Sequence, residues 1–180
     1  MDRIGTFGVL TDEEYEIAKM LDKTGKASGC MVVNLTRALK NQPKGYRISY
    51  NKRENNRVLF WMQVLDNALH VKANLFHIGN YADKMDECSE KVKKSITDTK
   101  ECDDCGLCPP RAPYAIDGKN YKPCCFHGHY FTKMAQGDWE MLRDLIVLEH
   151  DNQFEPEGFV PVEPKERSDN DKKYHGFYRK

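Results

Sequence analysis

Nowhere does the chain carry the run of about 20 apolar residues that a membrane-spanning helix needs. It also lacks net charge, since 28 basic residues balance 28 acidic ones. That balance argues against a strongly electrostatic partner such as bulk duplex DNA and leaves only a local basic face open. Residues 1–14 contain no hydrophobic segment of the kind a secretory signal carries, which points to a cytoplasmic, reducing home. There is no P-loop, dinucleotide fingerprint, GxSxG elbow, kinase signature, HExxH pair or HxE…PCxxC pattern, so no familiar enzyme chemistry has a motif to stand on. Internal repeats are absent as well.

What remains is a chain of 180 residues, 39% hydrophobic and 31% charged, long enough to bury a core without disulfides. Thr11-Asp12-Glu13-Glu14 is a capping box, so a helix is expected from there to about Asp22, ended by Gly25 and Gly29. Val32, Leu35 and Leu39 are spaced for one face of a second helix over about Cys30 to Lys40. A β-meander follows, with strands at 46–51, 57–65 and 68–76. The second of these is apolar on both faces, and Asp66-Asn67 forms a two-residue turn. Tyr81, Met85, Cys88, Val92 and Ile96 make one stripe of a helix over 79–97. A last helix starts at Trp139, with Asp138 as its N-cap. The fold class this predicts is α+β, an antiparallel sheet covered by helices with a zinc-knuckle hairpin inserted. The organisation is an N-terminal helical segment (1–45), a core (46–150) holding the knuckle (98–130), and a polar tail (151–180).

Five of the seven cysteines lie between Cys102 and His129. Cys102, Cys105 and Cys108 form CxxCxxC, and Cys124 and His127 form a CxxH pair. Two short ligand pairs on either side of a turn match the spacing of a zinc ribbon, in which thiolates and imidazoles surround one ion tetrahedrally. The spacer supports this, because Asp117-Gly118 is a hairpin turn that returns the chain to where it left. Candidates outnumber the four seats. The first choice is Cys102, Cys105, Cys108 and Cys124, with Cys125 or His127 as the substitute and His129 as a further competitor. A 4Fe-4S cluster is the alternative cofactor, since CxxCxxC plus a remote cysteine also suits a cubane. Free thiols are the third reading.

Elsewhere the ordinary reading is preferred. Cys88 belongs to an apolar stripe, Cys30 to a helix boundary, and Trp61 to the core. His70 and His77 are read as surface or hydrogen-bonded groups. Lys52, Arg53 and Arg57 beside Tyr50 form a solvated turn, and Lys91, Lys93 and Lys94 the wet face of their helix.

Cys102, Cys105, Cys108, Asp117, Gly118, Lys119, Tyr121, Cys124, Tyr130 and Phe131 carry a resemblance. Over residues 46–150 the chain resembles small bacterial α+β domains of unknown function with a CxxC…DGKxY…C knuckle. That resemblance implies a fold and a metal knuckle and no activity. The function expected is therefore a zinc-binding, non-enzymatic binding or adaptor domain that reads a protein or small-molecule ligand on its sheet. The alternatives are an iron–sulfur or thiol redox protein, and a nucleic-acid-associated ribbon using Arg53, Arg57, Arg111 and Lys119.

Overall fold

The computed structural model describes residues 7–37, 45–101, 113–122, 124 and 127–152. Helix α1 (Asp12–Ala27) begins at the predicted cap, where Thr11 Oγ1 accepts from the Glu14 N–H at 3.3 Å. Gly29, at φ 72, then turns the chain into strand β1 (Met31–Arg37). The helix expected over residues 30–40 is thus corrected to a strand. Val32-Val33 is a β-branched pair, and β1 pairs antiparallel with β2 (Gly45–Asn51) along its whole length. That long-range ladder outweighs a helical spacing that rested on Val32, Leu35 and Leu39 alone.

Strands β3 (Val58–Leu65) and β4 (Ala68–Ala73) meet through Asp66 and Asn67 at φ 51 and 56. Both central residues have positive φ, as a tight hairpin of this twist requires. After β4 comes a 3-10 turn (Ile78–Tyr81), then a single helical turn α2 (Asp83–Asp86) and helix α3 (Glu90–Thr97). The continuous helix expected over 79–97 is therefore broken. Ser89 caps α3 by accepting from the Val92 N–H, and its hydroxyl donates to Asp138 at 2.6 Å. The stripe survives the break: Tyr81, Met85, Cys88, Val92 and Ile96 are all buried.

A small hairpin, β5 (Tyr114–Ile116) and β6 (Lys119–Tyr121), precedes strand β7 (His129–Thr132) and helix α4 (Gln136–Asp151). Helix α4 starts three residues before the predicted Trp139. Asp138 stands inside its first turn and accepts from the Ala135 N–H at 3.1 Å. One carboxylate thereby serves the starts of two helices. The main sheet is antiparallel in the order β1-β2-β3-β4-β7, so the architecture is α+β as predicted. Helices α1, α3 and α4 pack on the face carrying Ile48, Tyr50, Phe60, Met62, Leu69, Val71 and Phe131. No described helix is long and apolar enough to cross a membrane.

Gly25, predicted to break α1, lies within it. A Cβ there would sit 2.3 Å from the Tyr50 ring. Tyr50 has no room to yield, being stacked on Phe60 at 4.3 Å and donating to Asp22 Oδ1 at 2.7 Å. Gly25→Ala is a contest between two effects. Alanine favours a helix interior by about 1 kcal/mol, while forcing an atom into a packed core costs about 1–3 kcal/mol. Contact with a ring held on both sides should tip the balance, and the expected result is a Tm lower by a few degrees in calorimetry.

Candidate functional site

The β5–β6 hairpin turns at Asp117 and Gly118, at φ 50 and 75, as the Asp-Gly pair predicts. Its register sets Tyr114 opposite Tyr121, with the two rings stacked at 5.7 Å. The turn is tied to α3 by Lys93 Nζ, which donates to Asp117 at 2.8 Å. Both ends of the hairpin therefore leave from the same place, and the outgoing end reaches Cys124.

Cys124 is buried, and His127 Nδ1 lies 3.2 Å from its Sγ. Two ligands of one tetrahedral zinc, at about 2.3 Å for sulfur and about 2.0 Å for nitrogen, lie about 3.5 Å apart. A thiol and an imidazole at 3.2 Å thus fit two adjacent corners of such a site. Cys102, Cys105, Cys108 and Cys125, the other predicted ligands, lie outside the described residues. Among the described residues no group of three or more Cys, His, Asp or Glu side chains converges to hold an ion. Cys124 and His127 lie side by side, and the rest of the predicted constellation falls outside the described residues. The loop after Cys124 is pinned at Gly128, where a Cβ would meet Asn74 Oδ1 at 2.3 Å and the Ala73 carbonyl at 2.8 Å. Only glycine lets the backbone come so close to the end of β4 here.

His129, the further competitor for a ligand seat, is a core residue. It is 2% exposed, and its Nδ1 lies 3.1 Å from the Ile96 carbonyl and 2.9 Å from Thr99 Oγ1. It therefore ties β7 to the end of α3. Burial drives its pKa down to about 4, against the opposing pull of the Ile96 and Leu75 carbonyls. In the unfolded chain the ring takes up a proton below its ordinary 6.5. The stability contributed is full above that value and falls by about 1.4 kcal/mol per pH unit as the pH drops towards the folded value. In NMR the His129 ring proton is expected not to shift between pH 8 and 5 in the folded chain, and to titrate in urea.

Cys30 and Cys88 are buried thiols with pKa values raised by burial, Cys88 to about 11, so neither is poised as a nucleophile. Two of the three cations in the basic turn beside Tyr50 are committed to the protein's own backbone. Lys52 Nζ donates to the Glu149 and His150 carbonyls at the end of α4, and Arg53 Nε to the Gly29 carbonyl. Tyr50 itself is core. Lys93, one of the three lysines read as a wet face, lines a cleft of about 290 Å³ between α3 and the hairpin, and its charge is met there by Asp117 and Glu90.

Sequence reasoning missed two arrangements. The first is a buried carboxylate, Glu149 on α4. Its Oε2 accepts from the His77 N–H at 2.8 Å and from the Tyr81 hydroxyl at 2.9 Å, and its Oε1 lies 2.7 Å from His77 Nδ1. Burial and then Glu149 hold the Tyr81 phenol well above its usual pKa.

The second is the sheet face away from the helices. Register aligns Val33, Ser49, Trp61, Lys72 and Tyr130 in one row across all five strands, with Arg47, Gln63, His70 and Thr132 in the next. Trp61 is therefore not in the helix-covered core, as expected, but on this face. The Arg47 guanidinium lies 4.0 Å from its ring centre, and the Tyr130 ring meets it edge-on at 6.0 Å. Lys72 Nζ is 5.4 Å from the Tyr130 ring centre, and Tyr130 is 57% exposed. The signal was present in the sequence, because Trp61 and Gln63 alternate with Phe60 and Met62. The apolar run hid which set would face outwards. No protein-family model, curated protein or solved structure matches this chain.

Proposed function

We propose that the chain is a zinc-binding, non-enzymatic domain whose knuckle holds the cysteine-rich stretch against the sheet, leaving the far sheet face to read a ligand. The observation that carries this reading is the 3.2 Å approach of Cys124 and His127 at the outgoing end of the hairpin. Cys102, Cys105 and Cys108 stand before that hairpin in sequence, where a ribbon's other ligands belong. Zinc bound there would contribute folding free energy to a stretch with little apolar content of its own, and the chain's own groups would serve as ligands. Cys30, Cys88 and Cys124 are free thiols, in keeping with a reducing compartment. The test is elemental analysis of colourless purified protein, with about one zinc per chain expected. A brown protein containing iron and sulfide would transfer the site to the iron–sulfur alternative, and a metal-free folded chain would end the proposal.

A further inference from the structure

We infer that the outward sheet face binds single-stranded nucleic acid, with a base stacked on Tyr130 and backbone phosphate held by Lys72 and Arg47. This rests on reading that face as the ligand surface; the zinc assignment is independent of it.

Three observations point to this class of ligand. The first is charge. Although the chain is neutral overall, the ten positions of the two rows, Leu35 opposite Arg47 included, hold Arg47 and Lys72 and no carboxylate. The second is the interleaving of charge with aromatic rings, in the order Arg47, Trp61, Tyr130, Lys72, with successive members 4.0, 6.0 and 5.4 Å apart. A ring that any base can stack on, beside cations that follow a backbone, is the arrangement that binds single strands with little regard to sequence. The third is Lys72 itself. Among the described residues it forms no ion pair with a carboxylate, and its ammonium lies 5.4 Å from the Tyr130 ring centre. A half-buried cation under those conditions is relieved by an arriving anion, and phosphate is the anion that comes with a stacking partner. Lys93 and Lys94 are paired with Asp117 and Asp98, and Lys52 and Arg53 cap backbone carbonyls.

The experiment is fluorescence anisotropy of labelled oligo(dT) and oligo(U), about 12 nucleotides long, titrated with the full chain. Intrinsic emission is followed in parallel. Trp61 lies on the face and should be quenched on binding, while Trp139 is interior and should not respond. With two phosphate contacts the log–log salt slope is about −1.4, so affinity should fall roughly sevenfold between about 50 and about 200 mM salt. Lys72→Gln should bring the slope to about −0.7. Tyr130→Ala, at an exposed position, should weaken binding roughly 5- to 150-fold and leave the slope unchanged.

No anisotropy change up to about 100 µM chain would overturn the inference, as that already covers ordinary non-specific affinity. So would equal binding by wild type and Tyr130→Ala. Uridine monophosphate binding as tightly as the oligonucleotide would assign the face to a free nucleotide instead. A dimer in sedimentation that Tyr130→Ala dissolves would assign it to a second copy. In each case the zinc content, measured on the same preparation, shows separately whether the knuckle reading stands.

Discussion

Cys124→Ser should emerge from purification with little zinc and a much lower melting temperature. The serine oxygen is a poor replacement for a thiolate, and the ion loses one of about four ligands. In isolated zinc-finger peptides coordination contributes on the order of 10 kcal/mol or more. Here β7 and α4 are anchored independently, so the loss should be smaller, about 4 kcal/mol. For a chain of this size that corresponds to about 8–16 °C in Tm. Replacing a buried thiol has a packing cost of its own, so a second measurement is needed. A chelator should lower the wild-type Tm by a similar amount and leave the variant unmoved. Cys88→Ser is the control, since its buried thiol donates to the Lys84 carbonyl and lies outside the proposed ligand set, so zinc should be untouched. Unchanged zinc and an unchanged chelator response in Cys124→Ser would remove Cys124 from the ligand set. His127→Ala should lose zinc in the same way if the CxxH pair acts as a unit.

Glu149→Ala is the other large effect. The carboxylate is 1% exposed and gathers three hydrogen-bonding groups from the segment after β4. Deleting it strands the His77 N–H and the Tyr81 hydroxyl in the interior. Each buried donor left without an acceptor costs about 1–3 kcal/mol. The sum should be about 3–5 kcal/mol, a fall of about 6–20 °C in Tm. Glu149→Gln keeps the volume and one acceptor oxygen but turns an amide donor towards the other groups, so its cost should be intermediate. Two further readings separate this network from mere cavity formation. The His77 amide, slow to exchange in the wild type, should exchange quickly in both variants. The Tyr81 phenol should ionise at lower pH in Glu149→Gln, because the neighbouring negative charge that raises it has gone. Variants within about 0.5 kcal/mol of wild type, the ordinary range for surface changes, would show the network to be without consequence.

The local features were legible because their causes are local. The Asp66-Asn67 and Asp117-Gly118 turns need only residues that tolerate positive φ, and those residues announce themselves. The cap at Thr11 and the period-two alternation of β4 are likewise short-range chemistry. The readings that changed were those settled by distant partners. Val32 and Leu35 are spaced for a helix, but a ladder with residues 45–51 makes them a strand. Gly25 reads as a helix breaker until the Tyr50 ring is seen to occupy the place of its missing Cβ. Ser89 interrupts the long helix, capping α3 and bonding Asp138 on the last helix.

The two halves of the site divide in the same way. Cysteine and histidine spacing suggested a knuckle from the sequence, because ligand geometry restricts spacing directly, and the fold brings Cys124 and His127 to 3.2 Å. Nothing in composition or spacing foretold that Trp61, Lys72 and Tyr130 share a row. They sit on three strands, and their alignment is a matter of register. The primary structure by itself determined the turns, the caps, the apolar stripes and the α+β class, since each follows from dihedral preference or periodicity within a few residues. Only the folded chain decided the outward aromatic and basic face and the buried Glu149 cluster, because these depend on strand pairing and helix docking between residues up to 72 positions apart.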